Sequence, residues 1–238
     1  MNERRKIQLK LLTVITALLL VFVIILYNCI ILTAQTLYPK KYSDLIEKVS
    51  AELEIESVLL YAMIETESGF DKDAVSDAGA MGLTQITPET FQWLQTKTKT
   101  SYGDEALFEP EISIYFGAFF IKLLLDEFKH VDVAFAAYHA GRGQVNEWLA
   151  DPRYSSDGEN LETIPFKDTS NYVKKINKNI KKYNNIYDMG YDYEKDIYTC
   201  KLDFMRNSSS FCCFRRRLCG RKEGLRNRFS LRRRYLVR

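Results

Sequence analysis

The chain contains the stretch ESVLLYAMIETESGF (56–70), which runs directly into DKDAVSDAGAMGLTQITP (71–88). The first part has the spacing of an apolar helix, and the second has the composition of a glycine-rich turn. At about 100° per residue, Glu67 falls on the same apolar face as Met63, whereas Glu65 points to the opposite side. A carboxyl group among apolar side chains loses hydration. We therefore expect the pKa of Glu67 to be raised, so that it holds its proton near neutral pH.

A carboxyl group that stays protonated near neutral pH is what a glycosidase uses as its general acid. The alternative interpretation is that Glu67 is a partly exposed helix-end residue capped by loop amides. Glycosidases usually place a second carboxylate across the scissile bond. The stretch 79–88 contains no acidic residue, and the nearest acids in the preceding loop are Asp71, Asp73 and Asp77. The helical pattern by itself leaves both interpretations open.

The rest of the soluble part predicts an all-α domain. Six further helices are predicted: Tyr42–Leu53, one that starts at Thr87-Pro88-Glu89, Pro110–Phe128, Val131–Ala140, Gln144–Leu149 and Thr169–Tyr183. Ser43 is the predicted N-cap of the first, and Asp168 is the predicted cap of the last. Residues 141–143 are expected to separate the fourth and fifth of these. No stretch alternates with a period of two, so no sheet is predicted. No cysteine lies between residues 30 and 199, so disulfides do not build the domain.

A long apolar segment lies near the N-terminus. The run from Leu11 to Pro39 is uncharged, and its most apolar part, 11–34, exceeds the roughly 20 helical residues that cross a bilayer. A signal-peptide core is only about 7–15 residues long, so we predict a transmembrane anchor over 11–37 rather than a cleaved signal peptide. Four basic residues precede the run and two follow it. This asymmetry predicts a cytoplasmic segment 1–10, with the rest on the extracytoplasmic side of the cell membrane.

Charge is distributed unevenly along the chain. The net charge is +3, but residues 201–238 carry 13 Lys or Arg against two acidic residues. The runs Arg215-Arg216-Arg217 and Arg232-Arg233-Arg234 are typical of a solvated segment. We therefore predict that 193–238 is a disordered basic tail, able to contact anionic wall polymer or lipid headgroups. Nucleic acid is not an expected partner on that side of a membrane.

Four short motifs resemble, in the right order, the signature of the soluble lytic transglycosylase family, relatives of goose-type lysozyme. They are Glu67-Ser68-Gly69-Phe70 with Ser76, then Gly79-Ala80-Met81-Gly82-Leu83-Thr84-Gln85-Ile86-Thr87-Pro88, then Ala137-Tyr138-His139-Ala140-Gly141, and finally Ile164-Pro165-Phe166 with Tyr172-Val173. His139 replaces the Asn of the family's third motif. The resemblance covers about 38–188. It implies a lysozyme-like transglycosylase domain, here 38–192, behind a single transmembrane helix.

The resemblance also implies a mechanism and a set of site residues. Glu67 would protonate the oxygen between N-acetylmuramic acid and N-acetylglucosamine in the glycan strands of peptidoglycan. It would then act as base on the muramoyl 6-hydroxyl, giving a 1,6-anhydro end without metal or cofactor. The residues assigned to substrate binding are Ser76, Met81, Gln85, Thr87, Tyr138 and Tyr172. Ser76 and Gln85 would hydrogen-bond the sugar, and the Tyr138 hydroxyl would point towards the acid.

Two other functions stay open. A hydrolytic muramidase on the same fold would use one of the loop aspartates to hold water. A membrane-anchored glycan-binding protein would keep the cleft without turnover, although a binder has no use for a costly buried acid. Two further residues depart from the family pattern. Thr84 stands where Met is common, and Ser113 stands where Asn is common. We expect Thr84 to reshape the cleft floor slightly and Ser113 to be a structural variant.

Overall fold

A computed structural model of the chain describes residues 3–191. Helix α1, Glu3–Leu37, is long and apolar enough to cross a membrane, and none of its most apolar window is buried against the rest of the described chain. Apolar side chains are exposed around its whole circumference, a pattern typical of a membrane span. The predicted basic tail, 193–238, lies outside the described residues.

The domain that follows α1 consists of helices. These are α2 (Ser43–Leu53), α3 (Ser57–Glu67), α4 (Pro88–Thr98), a short 3-10 helix (Asp104–Phe108), α5 (Pro110–Phe128), α6 (Val131–Ala140), α7 (Arg142–Ala150) and α8 (Lys167–Tyr187). No β-strand occurs in the part of the chain that the structure describes. Isolated bridges pair Met81 with Val75 and with Ile86 in the loop before α4. The all-α prediction is confirmed.

Helix α3 lies at the centre of the domain. Every residue from Val58 to Ile64 is buried, because α2 and α8 both pack against the helix. The helix therefore has no solvent-facing side over its first two turns, although periodicity alone had suggested one apolar face. Glu67 is its last residue, so the carboxyl group emerges where this buried helix ends.

Helices α4 and α5 follow their sequence signals closely. The Thr87 side chain caps α4 by accepting from the Thr90 amide, and Pro88 occupies the first helical position. Helix α5 has its predicted bounds and places Phe116 edge-to-face with Phe91, with 4.8 Å between ring centres. This pair belongs to a buried apolar cluster that supports the loop before α4.

Two predicted caps are wrong. The N-cap of α2 is Tyr42, in the left-handed conformation with a φ of 56°, and Ser43 is already helical. The Ser43 hydroxyl donates to Asp44 instead. The N-cap of α8 is Phe166, and Asp168 lies in the first turn, where a carboxylate still interacts favourably with the helix dipole. Both helices begin earlier than their polar residues suggest because the preceding chain packs onto the domain.

The break between α6 and α7 is shorter than predicted. Gly141 alone turns the chain, with a φ of 92°, and α7 begins at Arg142 rather than at Gln144. Arg142 is held in the helix by an ion pair with Glu127, at 2.6 Å between Arg142 Nε and Glu127 Oε2. Glycine is suited to this position because the turn needs a positive φ.

Candidate active site

Glu67 meets a tyrosine from α8 at the end of α3. The Tyr172 hydroxyl donates a hydrogen bond to Glu67 Oε1 at 2.6 Å. Burial raises the pKa of Glu67 to about 7, although the bond from Tyr172 and the positive charge of Lys175 both act to lower it. The raised pKa expected from the sequence is thus present. At neutral pH, both the protonated and the ionised form of the carboxyl group are therefore populated.

Two polar contacts tie α8 to the last turn of α3. Lys175 Nζ donates to the Thr66 carbonyl at 2.8 Å, and Asn179 Nδ2 donates to Thr66 Oγ1 at 2.9 Å. The Thr66 hydroxyl in turn donates to the Ala62 carbonyl at 2.7 Å. These bonds fix the helix end that carries Glu67 against the helix that carries Tyr172. The distance between the two side chains is therefore set by a rigid interface between helices.

The loop between α3 and α4 uses two of the predicted ligand residues for its own structure. Gln85 Nε2 donates to the carbonyls of Ala74, at 3.1 Å, and Gly82, at 2.9 Å. Both amide hydrogens are occupied, so Gln85 can offer only its oxygen to a ligand. Ser76 Oγ accepts from the Ala80 amide at 3.0 Å. Its own hydrogen can still be donated.

Met81 and Thr87 have structural contacts that account for them without a ligand. The Met81 backbone forms both isolated bridges, and its side chain packs against the apolar cluster of Phe91 and Phe116. The Thr87 hydroxyl caps α4 and also donates to Thr90 Oγ1 at 3.1 Å. Their assignment to substrate binding stays a prediction.

Tyr138 closes the site from the side of α6. Its hydroxyl donates to the Thr84 carbonyl at 2.8 Å. Burial, followed by the negative charge of Glu67, raises the pKa of Tyr138 well above its ordinary value, so the two side chains lie close together. The hydroxyl therefore borders the Glu67 site but bonds to the loop backbone, not to the acid.

Thr84 turns its side chain away from the site. It is fully buried, and its Oγ1 lies 3.0 Å from the Ser113 carbonyl and 3.2 Å from Ser113 Oγ. Gly117 leaves room for it, because a Cβ there would come within 2.4 Å of Thr84 Cγ2. The Thr84 side chain therefore does not line the cleft itself, and the expected change in the cleft floor stays a prediction. Only the Thr84 carbonyl faces the site. The buried side chains of Thr84 and Ser113 lie within hydrogen-bonding distance of each other.

His139 borders an open cavity next to the site. Its ring lies 4.6 Å from the ring of Tyr172, and its Nδ1 lies 3.1 Å from Thr169 Oγ1. Burial lowers the pKa of His139, and the charge of Asp168 opposes this effect. The cavity, about 480 Å³, is also lined by residues 165–169. It lies next to Tyr172, the hydrogen-bond partner of Glu67, through the ring contact of His139.

The loop aspartates do not reach Glu67. Asp71 accepts from the Asp73 amide at 3.0 Å, Asp73 pairs with Lys72 at 2.8 Å, and both acids are exposed, as is Asp77. In the described part of the chain, the interactions that set the Glu67 pKa involve no other carboxylate. No group of three or more His, Cys, Asp or Glu side chains within residues 3–191 could hold a metal ion.

Two contacts of the site were not predicted from the sequence. Tyr172 was assigned to substrate binding, and its bond to Glu67 spans 105 positions of the chain. Lys175 received no role, although it follows Tyr172 by three positions and therefore shares its side of α8. A helix that presents a tyrosine and a lysine one turn apart is the only signal that could have suggested a partner for a buried acid.

Comparisons with known proteins agree with this geometry. A family model described as "Transglycosylase SLT domain" matches residues 44–162. The soluble lytic murein transglycosylase of Salmonella typhimurium is 31% identical over 147 residues, covering 58% of this chain and 22% of that protein. The membrane-bound lytic murein transglycosylase C of Haemophilus ducreyi is 32% identical over 174 residues, covering 62% and 46%. The X-ray structure of an inactive mutant of lytic transglycosylase Slt from Pseudomonas aeruginosa has a TM-score of 0.58 at 28% identity, covering 64% of this chain and 25% of that one.

The fold and the site thus define a lysozyme-like helical domain with a half-buried acid at the end of α3. Because the family model covers half of the chain, the chain belongs to the transglycosylase SLT domain family. The likeness to solved lytic transglycosylases confirms the lysozyme-like fold. The matched part spans 22% of the Salmonella relative and 46% of the Haemophilus relative.

Proposed function

We propose that the chain is a membrane-anchored lytic transglycosylase that cleaves peptidoglycan glycan strands between N-acetylmuramic acid and N-acetylglucosamine. The observation that carries this proposal is the half-buried Glu67, whose pKa is raised to about 7 and which accepts a hydrogen bond from Tyr172. The named activities of the relatives support the same reaction.

The protonated Glu67 donates its proton to the glycosidic oxygen, and the bond from that oxygen to the muramoyl anomeric carbon breaks. The resulting carboxylate is stabilised by the Tyr172 hydroxyl and by the charge of Lys175. It then takes the proton of the muramoyl 6-hydroxyl as that oxygen attacks the anomeric carbon. The products are a 1,6-anhydro end and a free N-acetylglucosamine hydroxyl. One acid completes the cycle, consistent with the finding that, within the described residues, no other carboxylate contributes to the pKa of Glu67.

We propose that the substrate lies along the loop before α4 and the cavity beside His139. The Ser76 hydroxyl would donate to the sugar, and the Gln85 oxygen would accept from it. The Tyr138 and Tyr172 rings border the sugar bound nearest to Glu67. Met81 and Thr87 would contribute indirectly, by stabilising the conformation of the loop before α4.

We further propose that α1 anchors the domain to the cell membrane, with residues 1–10 in the cytoplasm and the domain 38–192 outside. The length and composition of α1 support a span, and membrane-bound relatives exist. The basic residues before the apolar run support the orientation. The tail, 193–238, would contact anionic wall polymer or headgroups.

Incubation of the detergent-solubilised full chain with purified peptidoglycan tests whether it is an enzyme. We expect soluble muropeptides to accumulate with time and in proportion to enzyme. A glycan-binding protein would instead sediment with the insoluble peptidoglycan and release nothing. That outcome would contradict the proposed function.

The pH dependence of cleavage tests the state of Glu67. Because the protonated acid is required, kcat/KM should fall as the pH rises through about 7, the pKa of Glu67. Tyr172→Phe removes a hydrogen bond that stabilises the carboxylate. It should therefore raise the Glu67 pKa and move the falling limb to higher pH by about one pH unit.

Tyr138→Phe is the matched control, because its hydroxyl bonds to the Thr84 carbonyl and not to Glu67. It should leave the position of the falling limb unchanged, whatever it does to the maximal rate. If the falling limb of the pH profile of Tyr172→Phe kept its position or moved to lower pH, this would contradict the hydrogen bond from Tyr172 to Glu67.

A further inference from the structure

Helix α8 carries a row of exposed lysines that the Glu67 site does not use. Lys174, Lys178 and Lys181 recur every three or four positions and therefore share one face, which Asn185 extends. They line a shallow groove on the outside of the domain. Within residues 3–191, none of these three lysines takes part in an ion pair. Their positive charge is therefore left for a partner outside the domain.

The C-terminal part of α8 is held against the segment that follows α1. The Tyr187 hydroxyl donates to the Tyr38 carbonyl at 2.7 Å, and the Tyr183 hydroxyl donates to the Pro39 carbonyl at 3.2 Å. Lys182 Nζ donates to the Tyr38 hydroxyl and lies 4.1 Å from the centre of the Tyr38 ring. These contacts begin one residue after the last residue of α1.

Lys40 also contacts α8, so residues 38–40 together form the junction between α1 and the domain. Its Nζ lies 5.0 Å from the ring centre of Tyr61, 5.2 Å from that of Tyr187 and 3.4 Å from Glu47 Oε1. Tyrosine and lysine are residues that suit the boundary between bilayer and water, because each has an apolar body and a polar end. The junction is packed rather than a free linker, so it fixes the position of α8 relative to the end of α1.

This geometry brings the lysine row close to the bilayer that α1 would span. Lys178 lies one turn from Lys182, about 6 Å along α8, and Lys174 lies two turns away, about 12 Å. These distances are similar to the Debye length of about 8–10 Å at ordinary salt concentrations. If Lys182 lies at the membrane surface, Lys178 and Lys181 lie within one Debye length of it along α8, and Lys174 lies slightly beyond.

We propose that Lys174, Lys178 and Lys181 bind the anionic phospholipid headgroups of the membrane that α1 spans. The proposal rests on the proposed anchoring by α1. Membrane headgroups are the anionic partner nearest to a row that continues from the junction at Tyr38. The contact would stop the domain from rotating about α1. It would hold Tyr172 and the Glu67 site, about 15 Å along α8 from Lys182, at a constant height above the bilayer.

Photo-cross-linking of the full chain in lipid nanodiscs tests the proposal. Discs of phosphatidylcholine alone are compared with discs that also contain phosphatidylglycerol, each with a photoreactive headgroup, and adducts are mapped by mass spectrometry. A lysine near an anionic surface changes association by about fivefold. We therefore expect about fivefold or more adducts on α8 in the anionic discs, and loss of this excess at high salt.

The variant Lys174→Gln/Lys178→Gln/Lys181→Gln should lower α8 adducts to the level of neutral discs. The matched control Lys97→Gln/Lys99→Gln/Lys129→Gln removes the same charge from exposed positions on α4 and after α5, and it should leave α8 adducts unchanged. Equal α8 adducts in both kinds of disc would overturn the proposal, as would α8 binding to soluble glycerol phosphate polymer without lipid adducts. Lipid adducts on α1 serve as the reference for membrane insertion. The absence of adducts on α1 would refute the proposed anchoring by that helix.

Discussion

Replacement of Glu67 by glutamine is expected to abolish glycan cleavage while the domain stays folded. The amide has nearly the same shape as the acid and can still accept a hydrogen bond from Tyr172, but it has no proton to give to the glycosidic oxygen. General acid–base catalysis contributes about 10²–10⁴-fold to a rate. Since Glu67 acts first as acid and then as base, we expect kcat to fall by about 10³-fold or more, with little change in glycan binding.

The measurement is the rate of muropeptide release at saturating peptidoglycan, accompanied by a sedimentation assay for binding. Glu65→Gln is the matched control. Glu65 lies two positions earlier on α3 and burial also raises its pKa, but it does not contact Tyr172. It should retain most of the activity. Substantial turnover by Glu67→Gln, or an equal loss in Glu65→Gln, would remove Glu67 from its proposed role.

Gly82→Ala is expected to cause the largest loss of stability among single changes in the loop before α4. Gly82 has a φ of +72°, and a Cβ there would lie 2.0 Å from the carbonyl oxygen of Leu107. The clash is with backbone, so no side chain can rotate to relieve it. The strain of the positive φ and the displacement of the 3-10 helix together should lower the free energy of unfolding by about 3 kcal/mol or more.

Gly79→Ala separates these two effects. Gly79 has a φ of +77°, but nothing lies within 4 Å of the position that a Cβ would occupy there. The free energy of unfolding of the Gly79→Ala variant should therefore fall by only about 1–2 kcal/mol, the cost of placing alanine at a positive φ. Denaturant unfolding followed by near-ultraviolet circular dichroism in the tryptophan band reports on the domain, because Trp93 and the buried Trp148 both lie in it and α1 contains no tryptophan. Equal losses in the two variants would show that the approach to Leu107 does not matter.

Local sequence signals predicted the helices whose ends are determined by short-range interactions. Thr87 and Pro88 start α4 as expected, and α5 and α6 have their predicted bounds, because a cap, a proline and an apolar period act within a few residues. The end of α3 at Glu67 was predictable for the same reason. The identity of the acid followed from one carboxyl group placed on an apolar face.

Contacts between distant elements could not be predicted in this way. The bond from Tyr172 to Glu67 depends on how α8 packs against α3, and no local pattern encodes that packing. The same holds for Thr84, whose side chain turns inwards because Ser113 offers it hydrogen bonds. The caps at Tyr42 and Phe166 are also tertiary effects, since neither side chain makes a capping bond.

The junction after α1 shows the same limit. The sequence predicted an anchor over 11–37 followed directly by a domain over 38–192. It could not show that Tyr38 and Lys40 pack against tyrosines of α8. That arrangement holds the end of the helix that carries the lysine row against the residues after α1. Under the proposed anchoring, it would make the height of the Glu67 site above the bilayer a property of the fold.

In the proposed reaction, Glu67 works alone and the substrate supplies its own nucleophile. The mass of the muropeptides released in water enriched in heavy oxygen tests this. We expect 1,6-anhydromuramoyl ends, lighter by one water than a reducing sugar and free of the heavy isotope. New reducing N-acetylmuramic acid ends, in excess of those already present in the substrate, would contradict this reaction, because they would show that water, and not the muramoyl 6-hydroxyl, attacks the anomeric carbon.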